Sequence, residues 1–202
     1  MTLLVPPLLR RGDTIAFFSP SSAATAWAPN RFTRAKAFLE GQGFRLKAGS
    51  LTGQQDHWRS GSIVARAEEL NALIRDPEVR CIMSVIGGSN SNSLLPYLDF
   101  EALRRDPKII VGYSDVTALL LGIHAQTGLV TFYGPALVAS FGELPPLVDE
   151  TLASFYRLRW PTWPTWPTKL ASPARCLRQR SGAMNGWTGR IRPGPSAASP
   201  IG

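Results

Sequence analysis

Short runs of apolar, β-branched and aromatic residues alternate along residues 14–126 with stretches in which apolar positions recur every three or four residues. The first pattern predicts buried strands and the second amphipathic helices. Their alternation predicts an α/β fold with an open, mostly parallel sheet flanked by helices. Thr14 to Phe18 reads as the first strand and opens into the loop Ser19-Pro20-Ser21-Ser22. Asn30 is placed to cap a helix running to Gly41, with Phe32, Ala35 and Leu39 on one face. A short strand over 44–48 follows. Ser62 then caps a helix in which Ile63, Ala67, Leu70, Leu73 and Ile74 keep helical spacing until Asp76-Pro77 stops it. Residues 81–86 read as the next strand, 108–111 as another, and 116–126 as a helix with few polar positions.

Two connections stand out in this frame. Gly87-Gly88-Ser89-Asn90-Ser91-Asn92-Ser93 follows a strand, at the carboxyl edge where open α/β sheets place their ligands. It reads equally as a connecting loop satisfied by its own side chains. Gly112-Tyr113-Ser114-Asp115 turns a strand into a helix. Such a turn thrusts a serine out of the sheet beside free helix N-terminal amides, the setting of a nucleophile with an oxyanion hole, although the second glycine of the usual elbow is lacking. The alternative is that Ser114 or Asp115 simply caps the helix.

Charge separates two kinds of sequence. The chain has a net charge of +8 over 202 residues, but residues 1–150 hold 14 basic and 14 acidic side chains, while residues 151–202 hold 8 basic and no acidic ones. From about Leu158 the sequence becomes Arg159-Trp160-Pro161-Thr162-Trp163-Pro164-Thr165-Trp166-Pro167-Thr168 and then Pro-, Ser-, Arg- and Gly-rich. Repeated prolines forbid a helix interior and spoil a central strand, so residues 157–202 are expected to be a disordered basic tail and residues 1–156 the folded domain. Trp160, Trp163, Trp166 and Trp187 among basic residues could stack on unpaired bases. The abrupt switch and the exact short repeat favour translation in a shifted reading frame over nucleic-acid binding. Cys81 and Cys176 give neither a disulfide framework nor a metal spacing. No apolar run is long enough to span a bilayer and the start lacks a secretory pattern, so a cytoplasmic location without membrane contact is expected.

Several motifs occur in a fixed order: Arg11-Gly-Asp-Thr-Ile-Ala-Phe-Phe-Ser-Pro20, Ile86-Gly-Gly-Ser-Asn-Ser-Asn-Ser-Leu-Leu-Pro-Tyr97, Gly112-Tyr-Ser-Asp-Val-Thr-Ala-Leu119 and Thr131-Phe-Tyr-Gly-Pro135. Together they resemble the N-terminal half of the LD-carboxypeptidase family of serine peptidases, and the Ser-Asn-Ser-Asn form of the glycine loop is most similar to its microcin C immunity branch. The resemblance implies Ser114 as nucleophile, the amides of Asp115 and Gly88 as the oxyanion hole, and Gly87, Ser89 and Asn90 in contact with substrate. It implies hydrolysis of murein LD-peptides or of peptidyl nucleotides related to microcin C, with no metal or organic cofactor, and a homodimer as the form to look for.

The family also supplies a Glu and a His from a C-terminal domain, whereas here no residue after Glu150 is Asp, Glu or His. A serine needs such a base. His124 lies ten residues after Ser114 on one helix, turned away from it, and His57 sits in the polar stretch Gln54-Gln55-Asp56-His57-Trp58. The chain is therefore expected to be inactive as written, with a non-catalytic small-anion or nucleic-acid binding fragment as the alternative. Apolar surface within residues 137–155 is expected to be left open to association.

Overall fold

The computed structural model describes residues 3–156. The sequence readings of residues 157–202 lie outside the described residues. Five strands, β1 (Thr14–Phe18), β2 (Arg45–Ala48), β3 (Val79–Ser84), β4 (Ile109–Gly112) and β5 (Phe132–Tyr133), form one sheet in the order β2-β1-β3-β4-β5. Every pairing is parallel. The expected α/β architecture is thus an all-parallel open sheet.

The pleat sorts side chains to two cores, one on each face. Ala16, Phe18, Ile82 and Ile110 point to a cluster completed by Leu70, Leu73 and Ile74 of α3 (Ile63–Arg75) and Leu119, Leu120 and Ile123 of α5 (Thr117–Thr127). Ile15, Phe17, Cys81, Met83, Ile109 and Val111 point the other way, to Ala35 and Leu39 of α2 (Pro29–Gly41) and to Val148 and Phe155 of α6 (Leu147–Phe155). Two short helices, α1 (Ala24–Trp27) and α4 (Phe100–Arg105), complete the set. Alternate strand residues serve opposite faces, which is why these strands read as continuous apolar runs.

Several local expectations shift. Ser62 caps α3 as its position predicts, accepting the Ala65 N–H at 3.1 Å. Asn30 does not cap α2. Ala28 occupies that position and Pro29 opens the helix, where its fixed φ fits and its missing N–H costs nothing. The strand expected over 81–86 starts two residues earlier, directly after Asp76-Pro77, and its last two residues leave the ladder, although the Val85 N–H still reaches the Phe18 carbonyl at 2.9 Å. Nor is the 137–155 stretch left open. Leu137, Val138 and Phe141, in a π-helical turn, are buried with Val148 and Phe155, and the Phe141 and Phe155 rings meet edge to face at 5.4 Å. Only Leu144 and Leu147 among its large apolar side chains are well exposed. Among the described residues no helix is long and apolar enough to cross a membrane.

Glu69, buried on α3, joins that helix to the loops that follow β1 and β2. Its Oε2 accepts the Ser19 N–H and its Oε1 the Leu51 N–H, both at 2.8 Å. Burial pushes the carboxyl above its ordinary 4.5 against the pull of those two donors. The folded state therefore holds this proton more tightly than the unfolded chain does. The stability it contributes is complete below about pH 4.5 and is lost as pH rises through the raised value. Asp99, held low by the Ala102 N–H and by Arg75, works in the opposite sense below its ordinary 3.8, so the two windows are separate. Glu69→Gln is expected to flatten the upper window. It should also lower stability by about 1–3 kcal/mol, because one amide donor loses its acceptor. Urea midpoints measured from pH 4 to 8 check this, and an unchanged slope in the variant would exclude Glu69 as its source.

Candidate active site

In the order β2-β1-β3-β4-β5 the chain reverses direction of travel between β1 and β3, and ligands of such sheets bind outside the carboxyl ends at that switch. Three connections meet there: residues 19–22 after β1, residues 85–90 after β3, and residues 113–116 after β4.

The third carries the serine. Tyr113 is extended, Ser114 has φ of 61°, and a 3-10 turn, Ser114–Val116, feeds directly into α5. A positive φ in a residue with a Cβ is strained, a condition that clusters at functional sites. Here it lifts an exposed serine out of the sheet at a helix start. Gly112 permits the approach: a Cβ there would lie 2.5 Å from Ser84 Oγ and 2.8 Å from Val116 Cγ1. The elbow therefore needs its first glycine for close packing.

The glycine loop faces this serine. A Cβ on Gly87 would stand 3.0 Å from that of Ser114, 3.2 Å from its Oγ and 3.3 Å from the Asp115 nitrogen. Gly88 follows with φ of 145°, and its N–H meets no acceptor among the described residues. Its conformation is fixed from β1: Ser21 Oγ accepts the Ser89 N–H at 2.8 Å and donates to the Ser89 carbonyl, while the Ser22 N–H reaches the Gly87 carbonyl at 3.3 Å. Gly87 thus lies against Ser114 and the Asp115 nitrogen, with the unpaired Gly88 N–H next to it in the same loop.

Asp115 acts as a fastener. Its carboxylate accepts the Ser91 N–H at 3.1 and 3.3 Å, and Ser91 Oγ donates to the Asp115 carbonyl at 2.7 Å. That ties the glycine loop to the elbow. Asn90, with φ of 75°, opens the 3-10 helix Ser91–Tyr97, and Ser93 Oγ donates to its carbonyl at 2.7 Å. Ser89 and Asn90 remain exposed beside Gly88.

Sequence reasoning passed over the support behind these loops. Arg66 is fully buried, with its Nη1 on the Pro20 carbonyl at 2.6 Å and its Nε on the carbonyls of Gly61 at 3.0 Å and Ser62 at 3.3 Å. Ser60 adds Oγ to the Ser19 carbonyl at 2.7 Å and N–H to the Ser21 carbonyl at 2.9 Å. No local signal marks them, because the Ser19 and Pro20 carbonyls they hold lie 41 and 46 residues earlier in the chain.

Neither histidine reaches the serine. His57 sits on the exposed tip of a turn with φ of 52°, its Nε2 at 3.9 Å from Asp56. His124 Nδ1 lies 2.9 Å from the Leu129 carbonyl, near the far end of α5. A cavity of about 560 Å³ opens alongside Tyr113, between Tyr133, Glu143, Leu147 and Glu150. Among the described residues no group of three or more His, Cys, Asp or Glu side chains is placed to hold a metal ion.

A parallel α/β sheet thus carries a strained serine at a strand-to-helix turn, faced by a glycine loop. The family profile of the LD-carboxypeptidase N-terminal domain matches residues 15–134, and the chain belongs to that family. A Vibrio cholerae protein, named as a carboxypeptidase by inference, is 74% identical over 156 residues, covering 77% of this chain and 47% of its own length. The microcin C7 self-immunity protein MccF of Escherichia coli is 60% identical over 156 residues, covering 77% of this chain and 45% of that protein. The ligand-free structure of MccF superposes with a TM-score of 0.78 at 57% identity over 79% of this chain and 48% of that one. Other MccF structures hold adenosine monophosphate or glutamyl sulfamoyl guanosine. The chain spans about half the length of these relatives.

Proposed function

We propose that residues 3–156 form the nucleophilic half of a serine carboxypeptidase or amide hydrolase, with Ser114 as the attacking group. The observation that carries this reading is the exposed Ser114 at φ of 61°, set against Gly87 of the glycine loop. Ser114 Oγ adds to an amide carbonyl, and its proton leaves to a base. The carbonyl oxygen takes up the charge between the Gly88 and Asp115 amides. Collapse expels the amine after it is protonated, and water then cleaves the Ser114 ester. Gly87, Ser89 and Asn90 form the wall against which the acyl group lies.

Among the described residues none is placed to serve as the base at Ser114, so turnover requires a base and its orienting carboxylate from outside them. The substrates are peptides with an L,D bond or aminoacyl nucleotides. The ligands held by MccF support the second class. The unpaired Gly88 amide also fits a second reading, in which the same amides bind a small anion without turnover.

Labelling with an uncharged fluorophosphonate, mapped by peptide mass spectrometry, separates the two. Ser114 is expected to label at least ten times faster than any other serine, because the elbow and amides stabilise the phosphonyl oxygen. Labelling no faster in the folded than in the urea-unfolded chain would leave the binding reading in place.

A further inference from the structure

Arg31, Arg75, Arg80 and Arg104 are paired with a carboxylate, that of Glu143, Asp99, Asp106 and Glu101 respectively. Two at the switch-point crevice are not. Arg66 is buried with three carbonyls as partners, and its Nη2 has none. Arg59 is half-buried and lies over the ring of Trp58, its Cζ 4.7 Å from the centroid.

Arg59 is carried to the rim of the site by a tight turn. Asp56 and Arg59 exchange backbone hydrogen bonds of 2.7 and 3.0 Å, and Arg59 also bridges antiparallel to Ser22. Ser22 is the next neighbour of the oxyanion loop, since a Cβ on Gly88 would lie 2.6 Å from its Oγ. Neighbouring backbone therefore runs from Ser114 through Gly87, Gly88 and Ser22 to Arg59. The charged groups that bear on this corner are Arg66, which feels Arg59 as a like charge, and Asp115, which is already engaged by Ser91. Asp56 faces His57. Burial holds the Arg66 guanidinium below its usual range, the Arg59 charge adds to that and Asp115 opposes it.

A guanidinium stacked on an aromatic ring keeps its in-plane N–H fork free, and that fork matches a carboxylate in two parallel hydrogen bonds. We propose that Arg59, supported by Trp58 at the rim of the crevice, is the subsite for the free carboxylate of the substrate, next to the amide that Ser114 attacks. The assignment rests on the hydrolase reading with a peptide, the first of its two substrate classes, and deepens it by naming the group that orients that peptide.

Calorimetric titration of the full chain with N-acetyl-L-lysyl-D-alanine and with its C-terminal amide tests this. The acid is expected to bind about tenfold tighter than the amide, as a charge-assisted pair allows. The preference should fall to within about twofold in Arg59→Gln and be intermediate in Arg59→Lys, which keeps the charge without the fork. No acid preference in the unsubstituted chain, or an undiminished one in Arg59→Gln, overturns the proposal. So does a preference for adenosine monophosphate over adenosine that Arg59→Gln abolishes while the acid and amide remain indistinguishable, because the anion is then phosphate. Fluorophosphonate labelling of the unsubstituted chain reports the hydrolase reading independently. An acid preference that depends on Arg59 in a chain whose Ser114 does not label keeps the subsite and discards the hydrolase.

Discussion

Arg66→Ala is expected to lower the unfolding free energy by about 2–4 kcal/mol. The side chain is wholly buried and serves the carbonyls of Pro20, Gly61 and Ser62. Truncation removes a large buried volume and leaves those acceptors without their donor, each orphan costing about 1–3 kcal/mol unless water enters. One effect opposes the loss: an unpaired guanidinium is no longer taken out of water. Because Arg66 has no carboxylate partner, that relief is real and keeps the net cost below the sum of the orphaned groups. Arg66→Met separates the contributions, since it refills most of the volume without donors. The methionine variant should recover part of the lost stability and remain below the parent. Urea midpoints measure both, and a methionine variant as stable as the parent would show that the three hydrogen bonds contribute nothing net.

The consequence reaches the site, because Arg66 and Ser60 together hold three consecutive carbonyls of the loop after β1. Ser21 in that loop is what clamps Ser89. Loss of Arg66 is thus transmitted through Pro20 and Ser21 to the Gly88 amide, two residues beyond any contact Arg66 makes itself. Strain at Ser114 persists only where surrounding structure holds it in place, and this network is that structure on the β1 side.

Strands at the centre of the sheet were legible because they are buried on both faces and read as unbroken apolar runs, as Thr14–Phe18 does. Helix α3 was legible from its spacing, its Ser62 cap and its Pro77 stop. Elements such as α1, α4 and the two-residue β5 were missed, because two to six residues hold too little periodicity to register. The position of Ser114 at a strand-to-helix turn followed from pattern alone. The proposal that it is a nucleophile came only with the motifs that resemble a family, since an N-cap serine has the same local sequence. Arg66 was illegible for a different reason. On α3 it falls at a position that helical spacing marks as apolar, and a buried arginine is recognisable only when the carbonyls of another loop are seen to converge on it.

Gly88→Ala should preserve the sheet and reduce labelling of Ser114 by about 100-fold, the scale of losing one oxyanion donor. Two separate effects act at this residue. Its φ of 145° is a conformation that a residue with a Cβ rarely adopts, at a cost of about 1–3 kcal/mol. In addition the new methyl would stand 2.5 Å from Ser21 Oγ, 2.6 Å from Ser22 Oγ and 2.8 Å from Ser21 Cβ. These are atoms of the clamp itself, so relief of the clash requires either the β1 loop or the Gly88 peptide to move, and both displace the amide from Ser114. Gly53→Ala distinguishes conformational strain from this displacement. Gly53 also has a positive φ, 77°, but a Cβ there would meet nothing within 4 Å. That variant is expected to lose about 1 kcal/mol of stability and to label at the parental rate. If Gly88→Ala also labels at the parental rate while folded, the Gly88 amide has no part in stabilising the charge, and the oxyanion must be held by the start of the 3-10 turn alone.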